Sequence, residues 1–330
     1  MKPVRWGVLG IGKHFVQRVL PPLQGSALIE VAAVASRDLA RARETAGRFG
    51  IPAAYGSYED LLADRSLEAV FIALPNHLHA EWIRRAADAG KQVLCEKPLA
   101  LDAGQAQACL EHCRQKGVRL MEAFMYRFHP QWRRTLELVR IGEIGAVRAV
   151  HTGFGYSNHD PANIRNVLDF GGGALMDIGC YAVSVARLLF QAEPARVVSL
   201  VSRDPVFKTD VLSSAILDFS LGRATFNVGT QVFSNQGVEV VGTGGRIHVQ
   251  VPFNMYPDSP ARLTVTTGVG EREPSLPAVD QYGLEFEAFS RALREDRPVP
   301  TPPQDAVSNQ KVLDALFASE RSGGWERVRA

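Results

Sequence analysis

Cysteine, tryptophan and methionine are scarce in this chain: four, four and five among 330 residues. So few thiols exclude a disulfide framework, and a chain of this length can bury a core without one. Cys109 and Cys113 stand four apart in a helical pattern, which is neither CxxC nor a zinc knuckle; with Cys95 and Cys180 they read as free thiols in a reducing compartment. No excess of one charge is present either. Lys plus Arg is 37 and Asp plus Glu is 35, a formal +2, with no long run of like sign. A nucleic-acid or membrane role resting on a broad electrostatic footprint is therefore not expected. Trp6, Trp82, Trp132 and Trp325 are not interleaved with basic residues as stacking platforms for nucleic acid would be. No uninterrupted apolar run reaches the roughly 18 residues of a membrane span. Repeats and low-complexity tracts are absent. The opening MKPVRWGVLGIG reads as a strand entering a glycine turn, not a secretory leader, so the expected setting is the cytoplasm. His77 and His79 do not form a metal site, and the remaining histidines supply no ligand motif; no metal is expected.

What is present is order. Short apolar runs at Val4–Leu9, Leu28–Ala35, Ala69–Leu74 and Gln92–Cys95 suit strands buried on both faces of a parallel sheet. Helical patterns alternate with them at His14–Leu20, Leu39–Phe49, His77–Ala89 and Asp102–Lys116. Gly50, Gly90 and Gly117 each follow a helix, where a left-handed residue is wanted. A further strand near Val118–Met121 extends the sheet, and a first domain is expected over 1–123. A helix near Gln131–Arg140 then leads into longer alternating runs: Val147–Phe154, Ala195–Val201, Ser213–Phe219, Arg223–Phe233, Val238–Val241, Arg246–Val251 and Ala261–Thr267. A glycine-entered helix, Ala174–Phe190, sits among them, and helices Tyr282–Arg294 and Asp305–Ser319 close the chain. The expected fold class is thus an α/β domain followed by an α+β domain, 124–330, on one large open, predominantly antiparallel sheet. Its final helix is able to pack back toward the first domain. One sheet face needs cover, and a second subunit is the natural candidate.

Chemistry gathers at the carboxyl ends of the early strands, where an open α/β sheet receives its ligand. Gly10-Ile11-Gly12-Lys13-His14-Phe15 follows the first strand and opens the first helix. Gly10 permits a tight turn, and Gly12 lets a phosphate approach backbone N–H groups at the helix N-terminus. The full dinucleotide fingerprint wants a small third residue where Phe15 stands, which predicts looser strand–helix packing. The second strand ends in Ser36-Arg37-Asp38. Ser36 and Arg37 suit a 2′-phosphate and point to NADP over NAD, while Asp38 can instead cap a helix or pair with Arg41. After the third strand come Leu74-Pro75-Asn76 and His79. Asn76 either contacts ribose or caps the helix; His79 either closes the site or sits satisfied in the first helical turn. Glu96-Lys97-Pro98 ends the fourth strand, and Lys97 could stabilise negative charge on a substrate oxygen or be a surface lysine.

The stretch 171–181, GGGALMDIGCY, brings three glycines before a helix and sets Asp177 and Tyr181 on one helical face. A carboxylate beside a phenol can orient it or the substrate, and a lysine near the phenol would favour phenolate. The competing reading makes Asp177 a first-turn carboxylate and Tyr181 a packing aromatic. Arg127 and His129 lie in the interdomain stretch, where a substrate crevice is expected; His129 precedes Pro130 and can also cap a helix. Asn163 and Arg165 precede the triglycine, and Tyr282 begins a late helix. These five are candidates for substrate contact.

Taken together, GIG at 10–12, PNHLH at 75–79, EKP at 96–98, EAFMYRFHP at 122–130 and GGGALMDIGCY at 171–181 resemble the Gfo/Idh/MocA oxidoreductase family over nearly the whole chain. The resemblance implies a Rossmann domain, an α+β domain often used for dimerisation, and an NADP- or NAD-dependent hydride transfer. It maps the family lysine onto Lys97 and the helix carboxylate onto Asp177. Many members carry histidine where this chain has Tyr181. That departure resembles the branch of glucose–fructose oxidoreductase, NADP-dependent xylose dehydrogenases and dimeric dihydrodiol dehydrogenases, and weakens an inositol dehydrogenase reading. The implied mechanism has Tyr181 exchange a proton with a substrate hydroxyl, Lys97 lower its pKa and steady the alkoxide, and Asp177 fix geometry. The expected substrate is a sugar or related polyol, and the expected assembly a homodimer or dimer-based tetramer. Alternatives are a keto-sugar reductase, a trans-dihydrodiol dehydrogenase, a dinucleotide-binding regulator, or a non-redox enzyme using nicotinamide transiently.

Overall fold

The computed structural model describes residues 1–329. They form two compact units, Met1–Phe124 with Tyr282–Val307, and Met125–Gln281 with Ser308 onward. The division at 123/124 drawn from sequence assigned 282–307 to the second domain; these residues group with the first instead. The reason lies in aromatic packing. From the helix Gln281–Arg294, Phe286 and Phe289 place their rings 4.8 and 5.3 Å from Trp6, and Phe286 lies 5.0 Å from Phe71. Trp6 Nε1 donates to Ser290 Oγ at 3.1 Å, and Arg294 forks onto Glu68 at 2.7 Å. A hydrophobic stripe visible in the sequence as helical is thus matched to a sheet more than 200 positions upstream, which periodicity alone does not reveal.

The first unit carries six parallel strands: β1 (Val4–Leu9), β2 (Ile29–Ala35), β3 (Ala53–Tyr55), β4 (Ala69–Ile72), β5 (Gln92–Glu96) and β6 (Leu120–Ala123). Their order is β3-β2-β1-β4-β5-β6, the doubly wound arrangement whose order reverses beside β1. β1 and β4 are buried along nearly their whole length, as the continuous apolar runs require. The sequence reading missed β3 and the short helix Tyr58–Ala63, because three half-buried residues carry too little pattern.

The second unit is built on nine strands: β7 (Val147–Ser157), β8 (Arg196–Arg203), β9 (Asp210–Phe219), β10 (Gly222–Gly229), β11 (Gln231–Gly242), β12 (Gly245–Val249), β13 (Leu263–Thr267), β14 (Gly270–Arg272) and β15 (Glu326–Arg327). The order is β14-β13-β12-β11-β7-β10-β9-β8-β15, antiparallel throughout except that β10 runs parallel to β7. The run 223–233 read as one strand is two, because the chain crosses at Thr230 from one side of β7 to the other. Along β9 burial alternates: Ser213, Ala215, Leu217 and Phe219 point inward, while Leu212 and Ile216 are exposed. The helix Cys180–Phe190 covers the inner face and is buried on nearly every side. Residues 168–190 are long and apolar enough to cross a membrane, but they include Asp169, Asp177 and Arg187, and 94% of their most apolar window is buried in the fold.

Phe286→Ala should cost about 3–5 kcal/mol of stability, the usual cost of emptying a buried aromatic site. Urea unfolding checks this, and a change below ~1 kcal/mol would show that the aromatic cluster does not hold the helix to the first unit.

Candidate active site

In the first unit the glycine turn is tight at its first residue and open at its third. Gly10 has φ +92°, and a Cβ there would lie 2.6 Å from the Ala73 carbonyl oxygen, so only glycine fits. A Cβ at Gly12 would meet nothing within 4 Å, so the backbone there is open to approach. Gly12, Lys13 and His14 are exposed, whereas Ile11 and Phe15 turn into the core. Phe15 does not loosen the packing as expected: it is buried, with its ring 6.1 Å from Phe71. The helix opens with a wide π-helical turn, Phe15–Val19.

At the end of β2, Asp38 caps the helix Leu39–Phe49, accepting from the Ala40 and Arg41 N–H groups at 2.9 and 3.2 Å. One oxygen of that carboxylate, Oδ1, is therefore engaged by backbone. Ser36 Oγ accepts from Asp38 N at 3.2 Å, and the Arg37 side chain is exposed beside them. Arg41, which the sequence offered only as a partner for Asp38, donates to the Ile11 carbonyl at 2.8 Å and braces the glycine turn.

His79 corrects one expectation. It is completely buried, with a ring nitrogen 2.8 Å from each of the Leu74 and Pro98 carbonyls. It cannot touch a ligand; it ties together the turns after β4 and β5. Burial pulls its pKa below the ordinary histidine value against those two carbonyls. Leu74 is buried, while Pro75 and Asn76 are half-buried at the start of the helix Asn76–Asp88. Glu96 and Lys97 are half-buried at the carboxyl end of β5, and the Lys97–Pro98 peptide is cis. The turn is held from β6: buried Glu122 accepts from the Leu99 N–H at 2.7 Å. Tyr282, expected at the substrate, belongs to this unit and meets the glycine turn, its hydroxyl 3.1 Å from His14 Nε2.

The second unit gathers another set. Asp177, 8% exposed, accepts on Oδ2 from the Tyr156 hydroxyl at 2.6 Å and from Arg165 Nε at 2.8 Å. Burial, with the Asp177 charge adding to it, pushes the Tyr156 pKa well up and keeps that phenol a donor. Asp177 lies in a π-helical turn, Leu175–Gly179, that precedes the helix Cys180–Phe190. Tyr181, one turn on, is 5% exposed. Its hydroxyl donates to Met125 Sδ at 3.4 Å, a weak acceptor, and its ring packs among Tyr126, Phe154 and Phe253. Arg127 Nη2 donates to Ser184 Oγ at 2.7 Å, which also contacts the Tyr126 hydroxyl. Asn163 is half-buried, and its side chain caps the short turn Ile164–Asn166 from which Arg165 reaches Asp177.

His129 is the second correction. It is fully buried and caps the helix Pro130–Arg140, its Nδ1 accepting from the Gln131 N–H at 3.2 Å. It is not placed to contact substrate. Tyr156, Glu122 and Met125 were missed by sequence reading. Glu122 and Met125 lie inside a stretch that carried the family resemblance, but nothing in their spacing separates a partner of the site from core.

A family model described as an oxidoreductase family with an NAD-binding Rossmann fold matches residues 4–124, and the GFO/IDH/MocA C-terminal domain matches 132–248. This chain belongs to the Gfo/Idh/MocA oxidoreductase family. An oxidoreductase of Rhizobium meliloti is 45% identical over 99% of this chain and 100% of its own. A D-xylose 1-dehydrogenase (NADP(+)) of Haloferax volcanii is 43% identical over 96% of this chain and 98% of its own. The crystal structure of the 3-ketoreductase KijD10 from Actinomadura kijaniata, in complex with NADP and TDP-benzene, superposes with a TM-score of 0.91 at 32% identity, covering 96% of this chain and 98% of that one.

Burial holds the His129 pKa down at about 4, against 6.5 for an ordinary histidine. Between those values the unfolded chain takes up a proton that the folded ring refuses, so stability falls as the pH drops through this window. His129→Asn keeps a side-chain cap but removes the titration. Urea midpoints measured from pH 7 to pH 4 should therefore decline less steeply in the variant; equal slopes would contradict the assignment.

Proposed function

We propose that this oxidoreductase transfers hydride between the nicotinamide of NADP(H) and the CH–OH or C=O carbon of a sugar or related polyhydroxylated substrate. The observation that carries the reading is Tyr181, a phenol held in an aromatic enclosure by a helix whose preceding turn carries a buried, doubly bonded carboxylate. When bound, the dinucleotide supplies or accepts the hydride at its nicotinamide ring. Gly10 to Phe15 cradle its phosphates; Ser36 and Arg37 take the 2′-phosphate. The cap bonds on Asp38 Oδ1 hold that carboxylate to the helix start and leave Ser36 and the exposed Arg37 to meet the phosphate, which supports NADP over NAD. Asn76, Glu96 and Lys97 complete the dinucleotide edge. NAD remains a secondary cofactor on this reading.

Tyr181 is the acid/base: as substrate is oxidised its oxygen takes the hydroxyl proton, and in reduction it returns it. Lys97 supplies positive charge to the alkoxide. Asp177, already fixed by Tyr156 and Arg165, orients substrate hydroxyls together with Arg165 and Asn163. Arg127 holds the Tyr126–Ser184 pair next to Tyr181. The dehydrogenase relative and the ketoreductase relative support both directions of the same chemistry. The exposed sheet face bearing Leu200, Leu212 and Ile216 takes a second copy of the chain, giving a homodimer. The four cysteines are buried and unbridged, in keeping with a reducing, cytoplasmic setting.

Tyr181→Phe should lower kcat at least ~10²-fold, the low end for a general acid/base. Near-normal turnover would remove Tyr181 from the chemistry. Arg37→Ala should raise the KM for NADP more than that for NAD, and equal effects would contradict the 2′-phosphate assignment. Ile216→Lys should convert the dimer to monomer in light scattering; an unchanged mass would place the interface elsewhere.

A further inference from the structure

The helix that carries Asp177 and Tyr181 begins at Ala174 with a residue that cannot cap it. Gly173 stands at the position where a Ser, Thr, Asp or Asn side chain would ordinarily accept a helix N–H, and glycine has none to offer. The acceptor comes from elsewhere. Asp210, at the start of β9 and 35 residues beyond Leu175, accepts the Leu175 N–H on Oδ2 at 2.6 Å. The same oxygen accepts from Ser213 Oγ at 3.1 Å.

The glycine and the carboxylate require each other. Gly173 has φ +111°, and a Cβ there would lie 1.9 Å from Asp210 Oδ1. The bare Cα lets the carboxylate reach past it to the helix end. Gly172 is equally confined, since a Cβ would lie 2.4 Å from the Arg165 carbonyl oxygen, and that carbonyl accepts the Gly173 N–H at 2.8 Å. The Asp177 N–H in turn donates to the Gly173 carbonyl at 3.1 Å. Asp210 is 1% exposed, and its lost hydration is offset by these hydrogen bonds and by the charge of Arg203, which pairs with Glu320. A buried carboxylate at a helix start is also favoured by the helix dipole.

We propose that Asp210 is a positioning residue for Tyr181: it caps, from a distant strand, the helix that presents the phenol, and so sets where Asp177 and Tyr181 stand. The consequence for turnover rests on the assignment of Tyr181 as acid/base; the cap itself does not.

Two variants and two readouts test it. Asp210→Ala removes the acceptor, and Asp210→Asn keeps an oxygen that can take the Leu175 N–H while losing the charge. Hydrogen–deuterium exchange of amides 174–181 needs no substrate. In the alanine variant their exchange should quicken by roughly 5- to 10-fold, the scale of a lost cap. On a substrate the unaltered enzyme turns over, kcat should fall on the order of 10- to 100-fold, as for a displaced catalytic group. The dissociation constant for NADPH, read by fluorescence, should stay within about two-fold, because Asp210 belongs to the second unit. Asp210→Asn should recover part of both losses, leaving kcat several-fold below the parent because the charge is gone. Unchanged exchange, or loosened exchange with kcat within about two-fold of the parent, overturns the proposal. Should the alanine chain fail to fold, the asparagine variant decides: a several-fold lower kcat with NADPH affinity intact supports it, and parental exchange and kcat overturn it. If Tyr181→Phe retains turnover while Asp210→Ala still loosens the helix, the acid/base reading fails and the cap stands.

Discussion

A carboxylate taken out of water must be met by hydrogen bonds, and the second unit depends on one that is. Asp177 lies almost wholly buried, with Tyr156 and Arg165 both donating to a single oxygen. Losing either donor would weaken the compensation of a charge in a poorly solvated place, which is costlier than losing an ordinary surface pair. The pairing therefore fixes three segments to one another: the end of β7 through Tyr156, the turn before the triglycine through Arg165, and the helix start through Asp177 itself. Tyr181 inherits its position from that junction. Its hydroxyl donates to the Met125 thioether, a weak acceptor, and its ring packs against three aromatic rings.

The first unit follows the same logic with backbone groups. Its ligand edge is a series of chain reversals, and each is held from a neighbouring element. Arg41 holds the glycine turn through the Ile11 carbonyl, His79 joins the Leu74 and Pro98 turns, and Glu122 holds the turn after Lys97 through the Leu99 N–H. Groups that read as ligand contacts in the sequence, His79 above all, prove to be the supports of such contacts. A site that must meet a large, charged cofactor in one geometry benefits from rigid turns, since loose ones would lose affinity to ordering on binding.

Much of this was legible beforehand. Strand and helix alternation located five of the six strands of the first sheet, because buried parallel strands leave continuous apolar runs. GIG, EKP and the triglycine stretch were informative for a physical reason: close backbone approach and strand-end chemistry restrict residue types. What escaped was the partner in each long-range pair. Nothing in the spacing of Asp210 marks it as the acceptor for Leu175, and nothing near Phe286 names Trp6. His129 was ambiguous between ligand and cap until its burial was known, since the same imidazole serves both. Residues 282–307 were misassigned because a helical pattern records that one face is buried, not against what.

NADP(H)-linked redox chemistry at a CH–OH carbon leaves a direct optical signal. Absorbance at 340 nm tests it most directly, with purified protein, NADP and NAD in parallel, and a panel of aldoses, polyols and cyclic diols, together with NADPH against the matching carbonyl compounds. Steady NADPH formation or consumption should follow with at least one sugar-like substrate, faster with NADP than with NAD at equal concentration. Failure to bind either dinucleotide, or saturable NADPH binding with no turnover across the whole panel in either direction, would contradict it.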